Sequence, residues 1–195
     1  AYPPQAFHAL MNLLSSHDQA RALHHFRWHD DTRDPATIAR AKARLKLAVF
    51  FQMTYPGAPT VYYGDEVGVT GGDDPYNRAP YPWADQGGTP DTALLADFKR
   101  LIGLRKQYAV LRRGSLAAPL FVDAHALVLA RRLGEQWAVT ALHNAEKARR
   151  INVPVPAGAP ATGWVDALSG AAVPVVDGRL ALDLPPLSGV VLVTR

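Results

Sequence analysis

The hydrophobic positions of this chain change rhythm near residue 113. Before that point, short apolar runs alternate with stretches whose apolar residues recur every three or four positions, the spacing of one helix face. Tyr2–Leu10 carries Pro3-Pro4 and then a short helical pattern. Met11, Leu13 and Leu14 form the first apolar run, which predicts a buried strand stopping abruptly at Ser15-Ser16. Residues 19–26 read as a short helix. Ile38, Leu45, Val49 and Met53 recur at helical spacing with Arg and Lys between them, predicting an amphipathic helix over 35–54. Asp34 before Pro35 supplies an N-cap and a proline at the first helical position, and Tyr55-Pro56-Gly57 ends the helix. Thr60–Tyr63, β-branched and aromatic between Pro59 and Gly64, predicts a second strand. A helix opening at Thr89-Pro90 places Leu94, Leu95, Phe98, Leu101 and Ile102 on one face. Strand, helix, strand, long loop, helix is the order of a parallel α/β sheet.

Beyond Arg113-Gly114 only short strand-like runs remain: 126–131, 136–142, 149–155, 164–168, 173–176, 179–184 and 190–193. Turn signals separate them, with Asp177-Gly178 a strong hairpin signal. Short strands at this spacing predict an antiparallel β-sandwich. The expected domains are therefore 1–112, α/β, and 113–195, all-β. Two strand–helix units leave a parallel sheet with much of its apolar surface uncovered. Either the first half docks on something else or the chain is the tail of a larger protein, and the second is the expectation here.

Composition narrows the function classes. Hydrophobic residues at 48% and charged residues at 19% describe a folded globular chain rather than a disordered one. The net charge of +4 is spread in pairs such as Arg112-Arg113 and Arg149-Arg150, so nucleic-acid binding is not expected. No apolar run approaches the ~20 residues of a membrane span, and the start AYPPQAFHAL lacks a basic region followed by an apolar one. Cysteine is absent, which excludes disulfides and thiolate metal sites and fits a cytoplasmic location.

Candidate chemistry gathers where strands stop. The first run delivers His17 and Asp18 side by side, and residues just past the C-terminal end of a parallel strand are where α/β proteins place reacting groups. The plainer alternative is that Asp18 caps the helix over 19–26. The second run stops at Asp65-Glu66, read as groups bracing a loop. The segment from Gly71 to Gly88 is polar yet holds Tyr76, Tyr81 and Trp83, and a long loop of this kind inside a compact domain is usually functional. Within it, Asp74 and Arg78, a carboxylate and a guanidinium four positions apart, form either a ligand-binding pair or a structural ion pair. Arg21 is placed either to reach the site or to pair with a loop carboxylate. Tyr62, Tyr63, Tyr81 and Trp83 pack in the core or offer aromatic faces to a ligand, and no metal site is read from His24, His25 and His29.

The stretch NLLSSHDQAR resembles the fourth conserved stretch of the α-amylase family of glycoside hydrolases, and FQMTYPGAPTVYYGDEVGVTGGDDPYNRAPYPW resembles the segment that leads into its eighth barrel strand. The pattern Gly71-Gly72-Asp73-Asp74-Pro75, Arg78, Pro80, Pro82-Trp83 is most similar to the neopullulanase, cyclomaltodextrinase and maltogenic amylase branch. The resemblance implies the last two β/α units of a (β/α)8 barrel followed by a β-sandwich C-terminal domain. It implies that Asp18 is the catalytic carboxylate that steadies the oxocarbenium-like transition state, while the nucleophile and the general acid lie outside this chain. His17 would hydrogen-bond the same sugar, Asp74 and Arg78 would hold a glucose unit further along, and Arg21 is the remaining binding candidate. Further implications are an α-glucan oligosaccharide substrate, no cofactor (with room for calcium in the remainder of the protein), the N-terminal remainder of the barrel as partner segment or chain, and a homodimer of the complete enzyme. No nucleic-acid or membrane partner is implied. A transglycosylase such as a trehalose synthase, a non-catalytic amylase-like scaffold, and a sandwich acting as a carbohydrate-binding module are the competing readings. One departure is a loop from His24 to Thr37 that is longer than the branch usually has.

Overall fold

The computed structural model describes residues 3–195, so Tyr2 of the first expected helix lies outside the described residues. The chain divides into two compact units, one running through Gln52 and resuming at Gly57–Ile102, the other made of Met53–Pro56 and Gly103–Arg195.

In the first unit, helix α1 (Pro4–Ala9) leads into strand β1 (Met11–Leu13), which pairs in parallel with β2 (Ala58–Thr60), Met11 opposite Ala58 and Leu13 opposite Thr60. The second strand therefore lies upstream of the expected 60–63. Tyr62 and Tyr63 lie past the end of the ladder, with both rings against the buried Arg21 guanidinium, at 4.3 and 4.7 Å from its carbon. Pro59, which reads as a boundary, sits inside the ladder. A two-stranded sheet has only edge strands, where a missing N–H costs no ladder bond. Helix α2 (Ala22–His25) is shorter than the predicted 19–26.

Helix α3 (Pro35–Thr54) matches its expected bounds. Asp34 accepts from the backbone N–H groups of Ala36 and Thr37, at 3.3 and 2.9 Å, and from the Thr37 hydroxyl, which hold its carboxyl below the usual range. Ala41, Leu45 and Val49 on one face of α3 are almost fully buried, and each of the larger two is worth roughly 1.5–3 kcal/mol of apolar burial. From the same helix Gln52 donates to the carbonyls of Asn12 (2.6 Å) and Thr60 (2.9 Å), bridging the two strands. Gly57 returns the chain to β2 with φ 120°, and a Cβ there would lie 2.5 Å from the Asn12 amide nitrogen, so only glycine fits. Helix α4 (Thr92–Gln107) starts after Asp91, which caps the Leu94 N–H at 2.9 Å and pairs with Lys42 of α3 at 2.6 Å. No described helix is long and apolar enough to cross a membrane.

The second unit is a β-sandwich. After α5 (Ala109–Arg113) come β3 (Ser115–Leu116), β4 (Phe121–Val122), β5 (Ala126–Leu133), β6 (Gln136–His143), β7 (Arg149–Pro154), β8 (Trp164–Asp166), β9 (Val175–Val176), β10 (Arg179–Leu184) and β11 (Ser188–Thr194). One antiparallel sheet has the order β3-β5-β6-β11-β8, with β4 also on β5, and the other has the order β7-β10-β9. All seven expected strands are present, and the two short ones, β3 and β4, are additional. Alternate residues of β7 and β10 (Ile151, Val153, Leu180, Leu182, Leu184) meet Val128, Val139, Ala141 and Leu192 of the larger sheet in one core. Asp177 and Gly178 both have positive φ, 50° and 70°, as the two-residue hairpin turn requires. Trp137 and Trp164 are buried in this core, and the Trp164 indole N–H donates to the Pro160 carbonyl at 2.9 Å, so neither offers a face to a sugar.

Two arginines brace the start of this unit through backbone carbonyls. Arg105 donates to the carbonyls of Met53, Tyr55 and Leu111, and Arg131 to those of Thr54, Leu111 and Gly114. These carbonyls end α3 and α5, where helices leave acceptors unsatisfied and carry partial negative charge. Burial pulls the Arg131 guanidinium down to about 10, with Arg105 adding to the effect.

Candidate active site

The site is built by two loops of the first unit, one following β1 and one spanning 71–78. Ser15, buried where β1 ends, accepts the Ala22 N–H at 2.9 Å and so takes the capping place at the start of α2. Asp18 is not at that cap, which removes the plainer alternative for it. The His17 Nε2 and Asp18 Oδ1 atoms are 3.2 Å apart, with side chains 65% and 75% exposed. A carboxylate and an imidazole presented together to solvent are available to an incoming hydroxyl-rich ligand.

The loop that carries them is fastened from the other loop. Asn77, fully buried, donates through Nδ2 to the carbonyls of His17 (2.9 Å) and Gln19 (3.0 Å). The Arg21 N–H donates to the Gly71 carbonyl at 3.0 Å, and the Arg21 Nε to the Asn77 carbonyl at 2.8 Å. Arg78, on the surface, pairs with Asp74 at 3.1 Å and donates to the His17 carbonyl at 3.3 Å. The structure therefore brings His17, Asp18, Asp74 and Arg78 to one exposed place. Gly71 lies so close to the Tyr76 carbonyl that a Cβ could not be fitted between them.

Arg21 corrects its reading as a sugar-binding candidate. Its side chain is fully buried, with donors used on the carbonyls of Asn77 and Tyr63 and on Asp65 Oδ1 at 3.2 Å, and its face covered by Tyr62 and Tyr63. It acts as a clamp beneath the site. Asp65, expected as a brace, is one: it is buried opposite Arg21. Burial pushes the Asp65 carboxyl up to about 6 against the pull of the Ser15 hydroxyl and Arg21. Between the ordinary carboxylate value and about 6 the folded chain holds a proton that the unfolded chain has released. Stability therefore falls as pH rises through that interval, by about 3 kcal/mol in total from this one group. Asp65→Asn removes this slope. Thermal midpoints measured from pH 4 to 6.5 should fall less steeply with rising pH for the variant than for the wild type, and parallel curves would refute the assignment.

Tyr63 donates its hydroxyl to the Ala79 carbonyl at 2.9 Å, and the Tyr81 and Trp83 rings are 4.4 Å apart, with Trp83 largely exposed. His24 and His29 stack edge to face at 4.2 Å. Burial first, and then the neighbouring histidines, hold the His24 imidazole below its ordinary value. Among the described residues no group of three or more His, Asp or Glu side chains could hold a metal ion. Asn77 and Ser15 are the site residues that sequence reasoning missed. An asparagine in a polar loop carries no local signal of burial.

Comparison with known proteins gives this chain its relatives. Residues 4–88 match the family described as alpha amylase, catalytic domain. The chain is 34% identical to neopullulanase 2 of Thermoactinomyces vulgaris over 98% of its own length and 30% of that protein. It is 35% identical to the cyclomaltodextrinase of Geobacillus thermopakistaniensis over 95% of its length and 29% of that protein. A solved cyclomaltodextrinase structure superposes with a TM-score of 0.82 at 27% identity, covering the whole chain and 31% of that protein. The chain thus spans under a third of the length of these relatives.

Proposed function

We propose that this chain is the C-terminal part of a retaining glycoside hydrolase that cleaves α-glucosidic bonds of maltooligosaccharides, cyclodextrins or pullulan. On this reading residues 1–112 supply the last two β/α units of a (β/α)8 barrel and 113–195 its sandwich domain. The observation that carries the reading is the exposed His17–Asp18 pair held at the end of β1 beside Asp74 and Arg78. Cleavage of a glycosidic bond builds positive charge at the anomeric carbon. A fixed carboxylate at that point stabilises the charge as it develops, and His17 orients the sugar beside it. Retention also needs a nucleophilic carboxylate and a proton donor, which this reading assigns to the remainder of the barrel. The exposed apolar side chains of Leu10, Met11 and Leu13 on and beside β1 support such a remainder, since a sheet of two short strands is marginal alone.

The test is the complete enzyme given pullulan, β-cyclodextrin, maltotriose and sucrose, with the anomer of the first product followed by proton NMR. Hydrolysis of at least one glucan with the α-anomer appearing first is expected. Inversion, or no turnover of any, would overturn the reading, and glucosyl transfer in place of hydrolysis would move it to the family's transglycosylases. Arg78→Ala separates binding from chemistry. Losing a charged hydrogen-bond donor of about 1.5–3 kcal/mol should raise KM for maltohexaose roughly tenfold or more while leaving the KM for maltose unchanged. The same KM at every chain length would reject a binding role for Arg78.

A further inference from the structure

We propose that Asn77 is a positioning residue for Asp18, an inference that rests on the reading of Asp18 as the charge-stabilising carboxylate. The two carbonyls that receive the Asn77 Nδ2, those of His17 and Gln19, lie on either side of Asp18 in the chain. Both are pure acceptors, so only the nitrogen end of the amide can face them, and the orientation of the side chain follows from its partners. One planar amide thereby spans the backbone that sets where the Asp18 carboxylate points. The grip is closed from below, because the main-chain carbonyl of Asn77 accepts from Arg21 Nε at 2.8 Å and Arg21 itself is immobilised by Tyr63 and Asp65. Asn77 is fully buried while Asp18 is among the more exposed side chains of the site, so Asn77 touches no substrate and acts only through the loop. An exposed catalytic carboxylate has few contacts of its own to hold it. Its precision comes from buried bonds to its backbone, and a misplacement of about 1 Å at a reacting centre can cost 10²-fold in rate.

The experiment is a double-mutant cycle in the complete enzyme, using an aryl α-glucoside that does not reach Asp74 or Arg78. Asn77→Ala should lower kcat by roughly 10²-fold with little change in KM. Asn77→Ser, which keeps one donor, should lose less. In the Asp18→Asn background Asn77→Ala should cost less than about twofold further, because the residue it positions is already gone. Circular dichroism and the thermal midpoint establish that each variant folds. An equal loss in both backgrounds, or wild-type kcat in a folded Asn77→Ala, overturns the proposal. Failure of both Asn77 variants to fold also overturns it, by making Asn77 a residue of the fold alone. Wild-type turnover in Asp18→Asn instead removes the reading of Asp18 beneath it.

Discussion

Asp18→Asn in the complete enzyme should lower kcat and kcat/KM together by roughly 10³-fold while leaving the thermal midpoint unchanged. The two side chains have the same shape, and Asp18 is 75% exposed and is not used as a helix cap, so the fold loses nothing when the charge is removed. The reaction loses a great deal. Removing one neutral hydrogen-bond donor from a developing charge costs about 10²–10³ in rate, and a full negative charge beside an oxocarbenium-like centre contributes at least as much. An equal fall in kcat and kcat/KM is the signature of an interaction made in the transition state alone. Near-normal turnover would show that the carboxylate does not stabilise the reacting sugar. A fall in the midpoint would instead assign it to the fold.

The second large effect is on stability. Arg21→Ala should lower the unfolding free energy at pH 7.5 by about 3–5 kcal/mol, a large share of the 5–15 kcal/mol that an ordinary domain has. The substitution strips donors from the carbonyls of Asn77 and Tyr63 and removes the cation between two tyrosine rings. Above all, it leaves the Asp65 carboxylate buried with its positive partner gone. Because burial already raises the Asp65 carboxyl to about 6, the loss should shrink at pH 5, where that group is protonated in the folded state with or without Arg21. Denaturant unfolding at the two pH values measures both amounts. A change under about 1 kcal/mol at pH 7.5 would refute the clamp role of Arg21.

The place of the exposed ionisable pair was legible early. An apolar run that halts at two serines and then presents His17-Asp18 is a local pattern, and the structure leaves that pair exposed at the end of β1. The 35–54 helix was equally legible, because the cap of Asp34, the proline after it and the apolar spacing all act within a few residues of one another. The Asp177-Gly178 turn belongs to the same class, its two positive φ angles being a demand on residue type at those two positions. The register of β2 was not legible. Val61, Tyr62 and Tyr63 have strand composition, but two of them lie past the end of the ladder against a guanidinium from Arg21, some forty residues earlier in the chain.

By itself, then, the sequence determined the elements that close over short distances: the capped helix α3, the alternating strands of the sandwich, the hairpin turn at 177–178, and the abrupt end of β1 at an ionisable pair. Only the tertiary structure decided what each polar side chain does. Arg21 reads equally as a ligand contact or a partner for a loop carboxylate, and Asn77 as an ordinary loop residue, yet both are fully buried and bond across separations of more than forty positions. The physical reason is that periodicity and capping are set by neighbours along the chain. Burial of a polar group is set by whichever distant segment satisfies its hydrogen bonds, and no local pattern of residues records that partner.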